Sequence, residues 1–157
     1  MEFLGQQINS GGMTPTEAKL KAVREWAAPR NVHEVRSFLG FANYYRRFIR
    51  NFAGIASPLT DLTKKDIPWQ WGPHQRQAFA QLKEAYCRAP VLLFPDPELP
   101  YTVATDASGI AGGGVLLQDH GEGLQPLAFL SRRFTPTEQK YSAYERELIA
   151  MAYCLQS

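Results

Sequence analysis

Two carboxylates carry the chemistry this chain could do. Asp106 closes the alternating, β-branched run Tyr101-Thr-Val-Ala-Thr-Asp106, and Glu147 follows in Tyr144-Glu-Arg-Glu-Leu-Ile-Ala-Met151. The first run reads as a strand, where Asp is disfavoured. The second reads as a strongly periodic helix, and a carboxylate held in its apolar stripe is costly unless paired or metal-bound. Acids on neighbouring β and α elements, both aimed into one cleft, offer the hard oxygen donors that Mg²⁺ or Mn²⁺ takes. Two such ions can activate a water and stabilise a leaving oxygen in phosphodiester hydrolysis. That chemistry usually needs three or four carboxylates. Only two stand at suitable places here, so a metal is expected to bind weakly.

Each acid also has a plain structural role open to it. Asp106 could cap the turn through Ala107-Ser108-Gly109, and Glu147 could pair with Arg132 or Arg133. With Tyr144 at the centre of its helix stripe, Leu148, Met151 and Leu155 fall within about 40° and Glu147 about 60° away. Glu147 is therefore expected to border a buried seam, with Ile149 and Tyr153 making the opposite face apolar as well. Asp119, His120 and Glu122 are ionisable but sit in a turn and read as solvent-facing.

The elements that must position these acids are legible in outline. Phe3–Ile8 reads as a short strand entering the turn Asn9-Ser-Gly-Gly12. Thr14-Pro-Thr-Glu17 predicts a capping box for a helix running to about Ala27. Asn31 with Glu34 opens a second helix, whose stripe is Val35, Phe38, Leu39, Ala42, Tyr45 and Ile49. Ile55, Leu59 and Leu62 mark a third. Pro73 opens a fourth, with Ala78, Phe79, Leu82 and Tyr86 inward.

The proline-rich stretch Ala89-Pro90 to Phe94-Pro-Asp-Pro97 separates this bundle from the C-terminal part of the chain. Strands are predicted there at Tyr101–Thr105, Gly114–Gln118 and Pro126–Arg132, the first two joined by the glycine-rich Gly109–Gly113. A second capping box, Thr135-Pro-Thr-Glu138, is expected to launch one helix to Leu155. The fold class is α+β: a small helical bundle followed by a truncated β-β-β-α unit.

Charge divides along the same line. Residues 1–95 hold 13 Lys/Arg against 7 Asp/Glu, a net of +6; residues 96–157 hold 4 against 8, a net of −4. A basic half beside an acidic half suits a polyanion grip next to a cation site. Arg36, Arg46, Arg47 and Arg50 interleave with Tyr44, Tyr45, Phe48 and Phe52 on what reads as one helix, with Lys64-Lys65 beyond. Arginines there could reach phosphates and aromatics could stack on bases or sugars; equally, the pattern fits a solvated face over core aromatics. No stretch approaches the roughly 20 apolar residues of a membrane span, and the N-terminus has no signal-peptide pattern. Cys87 and Cys154 read as reduced thiols of an intracellular protein.

Longer runs carry a resemblance. Phe38-Leu-Gly-Phe-Ala-Asn-Tyr-Tyr-Arg-Arg-Phe-Ile49, Ala56-Ser-Pro-Leu-Thr60, Trp69-Gln-Trp71 and Ala78-Phe-Ala-Gln-Leu-Lys83 are similar to the thumb and connecting region of gypsy-type LTR-retrotransposon reverse transcriptases. Ala89-Pro-Val-Leu92, Thr105-Asp-Ala-Ser108, Gly114-Val-Leu-Leu-Gln118, Leu130-Ser-Arg-Arg-Phe134 and Tyr141–Ala150 continue it into the ribonuclease H domain.

The resemblance divides the chain into the end of a palm-like hairpin (1–12), a helical thumb or connection (13–95) and a partial ribonuclease H-like domain (96–157). It implies that Asp106 and Glu147 are catalytic metal ligands. It also implies that the helical region, with Arg36, Tyr44, Arg46, Arg47, Arg50, Lys64 and Lys65, holds a primer–template or RNA–DNA hybrid. The family's polymerase acids would precede Met1, its third ribonuclease H acid would follow Ser157, and Gln6 stands where the family usually has His. The chain is thus expected to bind a hybrid rather than cleave it, alongside the parent's other polymerase domains in the cytoplasm, nucleus or a virus-like particle. The rival expectation is a protein-interaction module, in which an open sheet edge takes a partner or a second copy.

Overall fold

A computed structural model describes the backbone of residues 2–3, 6–9 and 12–156 and the side-chain surroundings over 12–143, 145–152 and 154. Three short antiparallel strands come first: β1 (Glu2–Phe3), β2 (Gln6–Asn9) and β3 (Gly12–Pro15), in that spatial order. The single strand expected at Phe3–Ile8 is thus two strands, with Leu4 and Gly5 outside the described residues. Met13 exchanges backbone hydrogen bonds with Leu92 at 2.7 and 2.8 Å, which clips β3 to the proline-rich connection.

That pairing also moves the first helix. Thr14 and Pro15 are drawn into β3, so the expected Thr14–Glu17 capping box does not form. Thr16 caps α1 (Glu17–Arg24) instead, its Oγ1 accepting from Lys19 N–H. Helix α2 (Val32–Tyr44) starts as predicted, with Asn31 Oδ1 accepting from Glu34 N–H at 2.9 Å. Its stripe is buried at Val35, Phe38 and Ala42, and Leu39 packs against the same core.

The helix then stops short of Ile49. A 3₁₀ turn at Arg46–Phe48 and a left-handed Asn51 (φ 57°), a conformation Asn tolerates better than most residues, redirect the chain into α3 (Phe52–Asp61). The arginines from 36 to 50 therefore do not share one helix. Pro73 opens α4 (Pro73–Cys87), which buries Ala78, Phe79, Leu82 and Tyr86 as the spacing requires. Phe38 and Phe79 meet at 4.6 Å between ring centroids at the centre of the bundle.

The second sheet is the antiparallel meander β4 (Thr102–Ala107), β5 (Ala111–Asp119) and β6 (Leu124–Arg133). Strand β5 begins inside the stretch expected to be a glycine-rich connection. The reason is steric: a Cβ on Gly112 would lie 2.8 Å from Ala150 Cβ, and one on Gly114 would lie 3.1 Å from Cys154 Sγ. The glycines are strand residues that let a helix lie almost on the sheet.

That helix forms in two pieces. The Thr135 capping box launches only the single turn α5 (Pro136–Gln139), and Ser142 and Glu145 exchange a second set of capping bonds ahead of α6 (Ala143–Gln156). Among its described residues α6 buries Ala150 and Cys154, whereas Leu148 and Met151 are 47% and 46% exposed. Of the seam expected along Tyr144, Leu148, Met151 and Leu155, Leu148 and Met151 are thus not on the sheet-facing side, because the glycine floor selects small side chains; the side chains of Tyr144 and Leu155 lie outside the described residues.

Candidate nucleic-acid interface and metal site

Strand register decides where Asp106 points. Asp106 pairs with Gly113, and Gly113 with Ser131, so the three form one row across the sheet. Side chains alternate between faces along a strand. Gly112 and Gly114 face α6, so the Asp106 row faces the other way. At the far end of the row, Ser131 Oγ accepts Ala53 N–H at 2.9 Å, which places that face against α3.

Sequence reasoning aims both carboxylates into one cleft; the register sends them to different faces of the sheet. The outer edge of β4, between those faces, has no strand partner among the described residues. Asp106 is exposed, and its Oδ1 accepts the N–H of Ala107 at 2.8 Å, part of the turn-capping role open to it from sequence. Glu147 is exposed on α6 rather than bordering a buried seam. Neither arginine proposed as its partner pairs with it. Arg132 forks onto Glu138 (3.1 and 3.0 Å), and Arg133 onto Asp61 (2.6 and 3.2 Å). Among the described residues no cluster of three or more His, Cys, Asp or Glu could hold a metal ion.

The expected nucleic-acid residues separate into engaged and accessible ones. Arg46 donates to Ser131 O at 2.6 Å, Ser131 Oγ at 3.1 Å and Asn43 Oδ1 at 3.2 Å, and its guanidinium lies 4.9 Å from the Phe52 ring centroid. It ties the helical unit to β6. Arg36 donates to Thr63 O, Arg47 lies over the Phe48 ring, and Lys64 pairs with Asp61. Tyr44, Arg50 and Lys65 are exposed, whereas Tyr45, Phe48 and Phe52 belong to the core.

Two ion pairs leave a mark on titration. The Arg133 guanidinium, aided by Lys64, holds the Asp61 carboxyl below the usual Asp range. Arg132 and the N–H of Thr135 do the same for Glu138. Ser131 and Asp61 were not singled out from sequence, and Arg133 was considered only as a partner for Glu147. The alternation Leu130-Ser-Arg-Arg133 does put Ser131 and Arg133 on one face, which is the signal that could have found them.

A helical bundle leading into an antiparallel β-β-β-α unit, with an acid at the end of the first strand and another on the helix, defines a ribonuclease H-like domain with its preceding helical region. The chain belongs to the family of RNase H-like domains found in reverse transcriptase, which it matches over residues 71–157. The gypsy-type retrotransposon resemblance is borne out. The retrovirus-related Pol polyprotein from transposon gypsy of Drosophila melanogaster is 39% identical over 167 residues, covering 99% of this chain and 16% of that polyprotein. The corresponding polyprotein from transposon 412 of the same organism is 36% identical, covering 98% and 12%. The transposon Tf2-3 polyprotein of Schizosaccharomyces pombe is 35% identical, covering 96% and 11%. The chain therefore spans a sixth or less of the length of these relatives.

Solved structures agree on the fold. The foamy viral protease-reverse transcriptase dRH in complex with ds DNA superposes with a TM-score of 0.86 at 29% identity, over 99% of this chain and 28% of that one. The foamy viral protease-reverse transcriptase in complex with RNA/DNA hybrid gives 0.84 at 28% identity, over 99% and 21%.

Proposed function

We propose that this chain is the part of a retrotransposon reverse transcriptase that holds an RNA–DNA hybrid between its basic helical unit and its ribonuclease H-like sheet. The observation that carries the reading is the match, along almost its whole length, to a reverse transcriptase seen with RNA/DNA hybrid. The net +6 of residues 1–95 supplies the electrostatic attraction, and Arg50, Lys65 and Tyr44 are its accessible contacts, with Arg36, Arg47 and Lys64 alongside. The remaining polymerase domains of the parent are its natural neighbours, in an intracellular setting. Among the described residues no helix is long and apolar enough to cross a membrane.

Asp106 and Glu147 fit a hard divalent cation in donor type: both are exposed carboxylates, and Asp106 has committed one oxygen to a backbone N–H. Among the described residues no third such ligand joins them. Bound Mg²⁺ or Mn²⁺ would supply Lewis-acid activation of water and of the scissile phosphate. The chain's own residues hold and orient the duplex.

Fluorescence anisotropy of a labelled RNA–DNA hybrid, at low and raised salt with and without Mg²⁺, tests this. Affinity should fall steeply with salt. Any Mg²⁺ enhancement should vanish in Asp106→Asn and Glu147→Gln, with stability changed by no more than about 0.5 kcal/mol because both residues are exposed. No binding at low salt would sink the reading. It would favour the second one, a partner or second copy docking at the outer edge of β4, which has no strand partner among the described residues and whose affinity for that partner should resist salt.

A further inference from the structure

The two oppositely charged halves of the chain meet in a cleft of about 320 Å³ whose lining includes Arg50 and Asn51 from the helical unit and Asp106, Ser108 and Gly113 from the sheet. Arg36, Arg46, Arg132 and Arg133 are all spent on partners within the fold. Arg50 is different: it is exposed, and among the described residues its guanidinium takes part in no hydrogen bond or ion pair. Its backbone is nonetheless firmly set. Ile49 and Phe52, on either side, are 2% and 6% exposed, and the left-handed Asn51 fixes the turn between them.

An arginine and an aspartate that line one cleft without pairing leave room for a ligand that uses both. A phosphodiester fits. Its oxygens take a guanidinium fork directly, and they approach a carboxylate only with a cation between. Gly113, which lies opposite Asp106, adds no side chain to the floor. We infer that Arg50 seats one phosphate of the hybrid in the Asp106 cleft and so sets the register of the nucleic acid on the sheet. This rests on the hybrid-holding reading and narrows it to one residue and one phosphate. The grip of Arg50 requires no metal, whereas that of Asp106 does, so the two residues should separate in their Mg²⁺ dependence.

The test uses the full chain and a labelled RNA–DNA hybrid, read by anisotropy across a salt series with and without Mg²⁺. Arg50→Ala should lower affinity about tenfold at low salt and reduce the salt slope by about one, in both conditions. Arg50→Lys should restore the slope, since the charge returns. Thermal unfolding should be unchanged in both variants, because Arg50 supports nothing in the fold. Replacing hybrid phosphates one at a time by uncharged methylphosphonate should reveal a single position that weakens the wild type and has no further effect in Arg50→Ala. If the wild type binds and Arg50→Ala binds equally well with the same slope, the inference falls and the hybrid-holding reading stands. If the wild type does not bind, both fall.

Discussion

Arg133 on β6 forks onto Asp61 at the C-terminal end of α3, with Nη1–Oδ1 at 2.6 Å and Nη2–Oδ2 at 3.2 Å, across a sequence separation of 72. The pair joins the ribonuclease H-like sheet to the helical unit and lowers the Asp61 pKa, chiefly through the Arg133 hydrogen bond. A carboxyl whose pKa is depressed on folding adds stability that is complete above its unfolded value and is lost as pH falls through the folded one. Stability should therefore decline from about pH 4 downward, and Asp61→Asn should flatten part of that decline. Both side chains are partly exposed, so the loss at neutral pH should be about 1 kcal/mol or less. Urea unfolding of the wild type and variant across pH 3–7 checks the sign and the window.

The contact between Gly112 and Ala150 makes a second prediction. An added methyl at Gly112 would meet Ala150 Cβ at 2.8 Å and the Phe134 ring at 2.9 Å, so α6 would have to lift. Gly112→Ala should destabilise by about 1–3 kcal/mol. Adding Ala150→Gly should recover less than half of the loss, because Phe134 still obstructs and glycine costs about 1 kcal/mol inside a helix. Chemical denaturation of the two single variants and the double variant measures this, and an unchanged Gly112→Ala would contradict the packing described.

Arg46 and Ser131 supply a third. Ser131 is 3% exposed and serves both Arg46 and the backbone N–H of Ala53. Ser131→Ala removes the side-chain acceptor of that N–H and should cost about 1–3 kcal/mol. Arg46→Ala should also lower stability, and the double variant should lose less than the sum, since both act in one network. In hybrid binding Arg46→Ala should matter less than Arg50→Ala, a contrast that separates an arginine spent on the fold from one left for phosphate. Equal binding losses at unchanged stability would overturn that division.

The family, the helix starts at Asn31 and Pro73, and the stripe Val35–Phe38–Ala42 were determined by sequence alone. Caps and three-to-four periodicity act over a few residues, and their physics is complete within that span. Non-local competition decided the rest. The Thr14 capping box lost to the pairing of Thr14 with Gln7 and of its neighbour Met13 with Leu92. Gly109–Gly113 looks like a loop until α6 is laid across it, and only then does Gly112 become a strand residue with a steric purpose.

The candidate site divides in the same way. Asp106 and Glu147 could be selected by residue type and motif, but a strand alternates every residue, so the face on which Asp106 lies depends on the pairing with Gly113 and Ser131. Among the arginines, identity was visible and availability was not. Whether a guanidinium meets a carbonyl, a carboxylate or solvent is set by which surfaces the fold brings together: Ser131 and Asp61 claimed Arg46 and Arg133 from 85 and 72 residues away, and left Arg50 in the open beside Asp106.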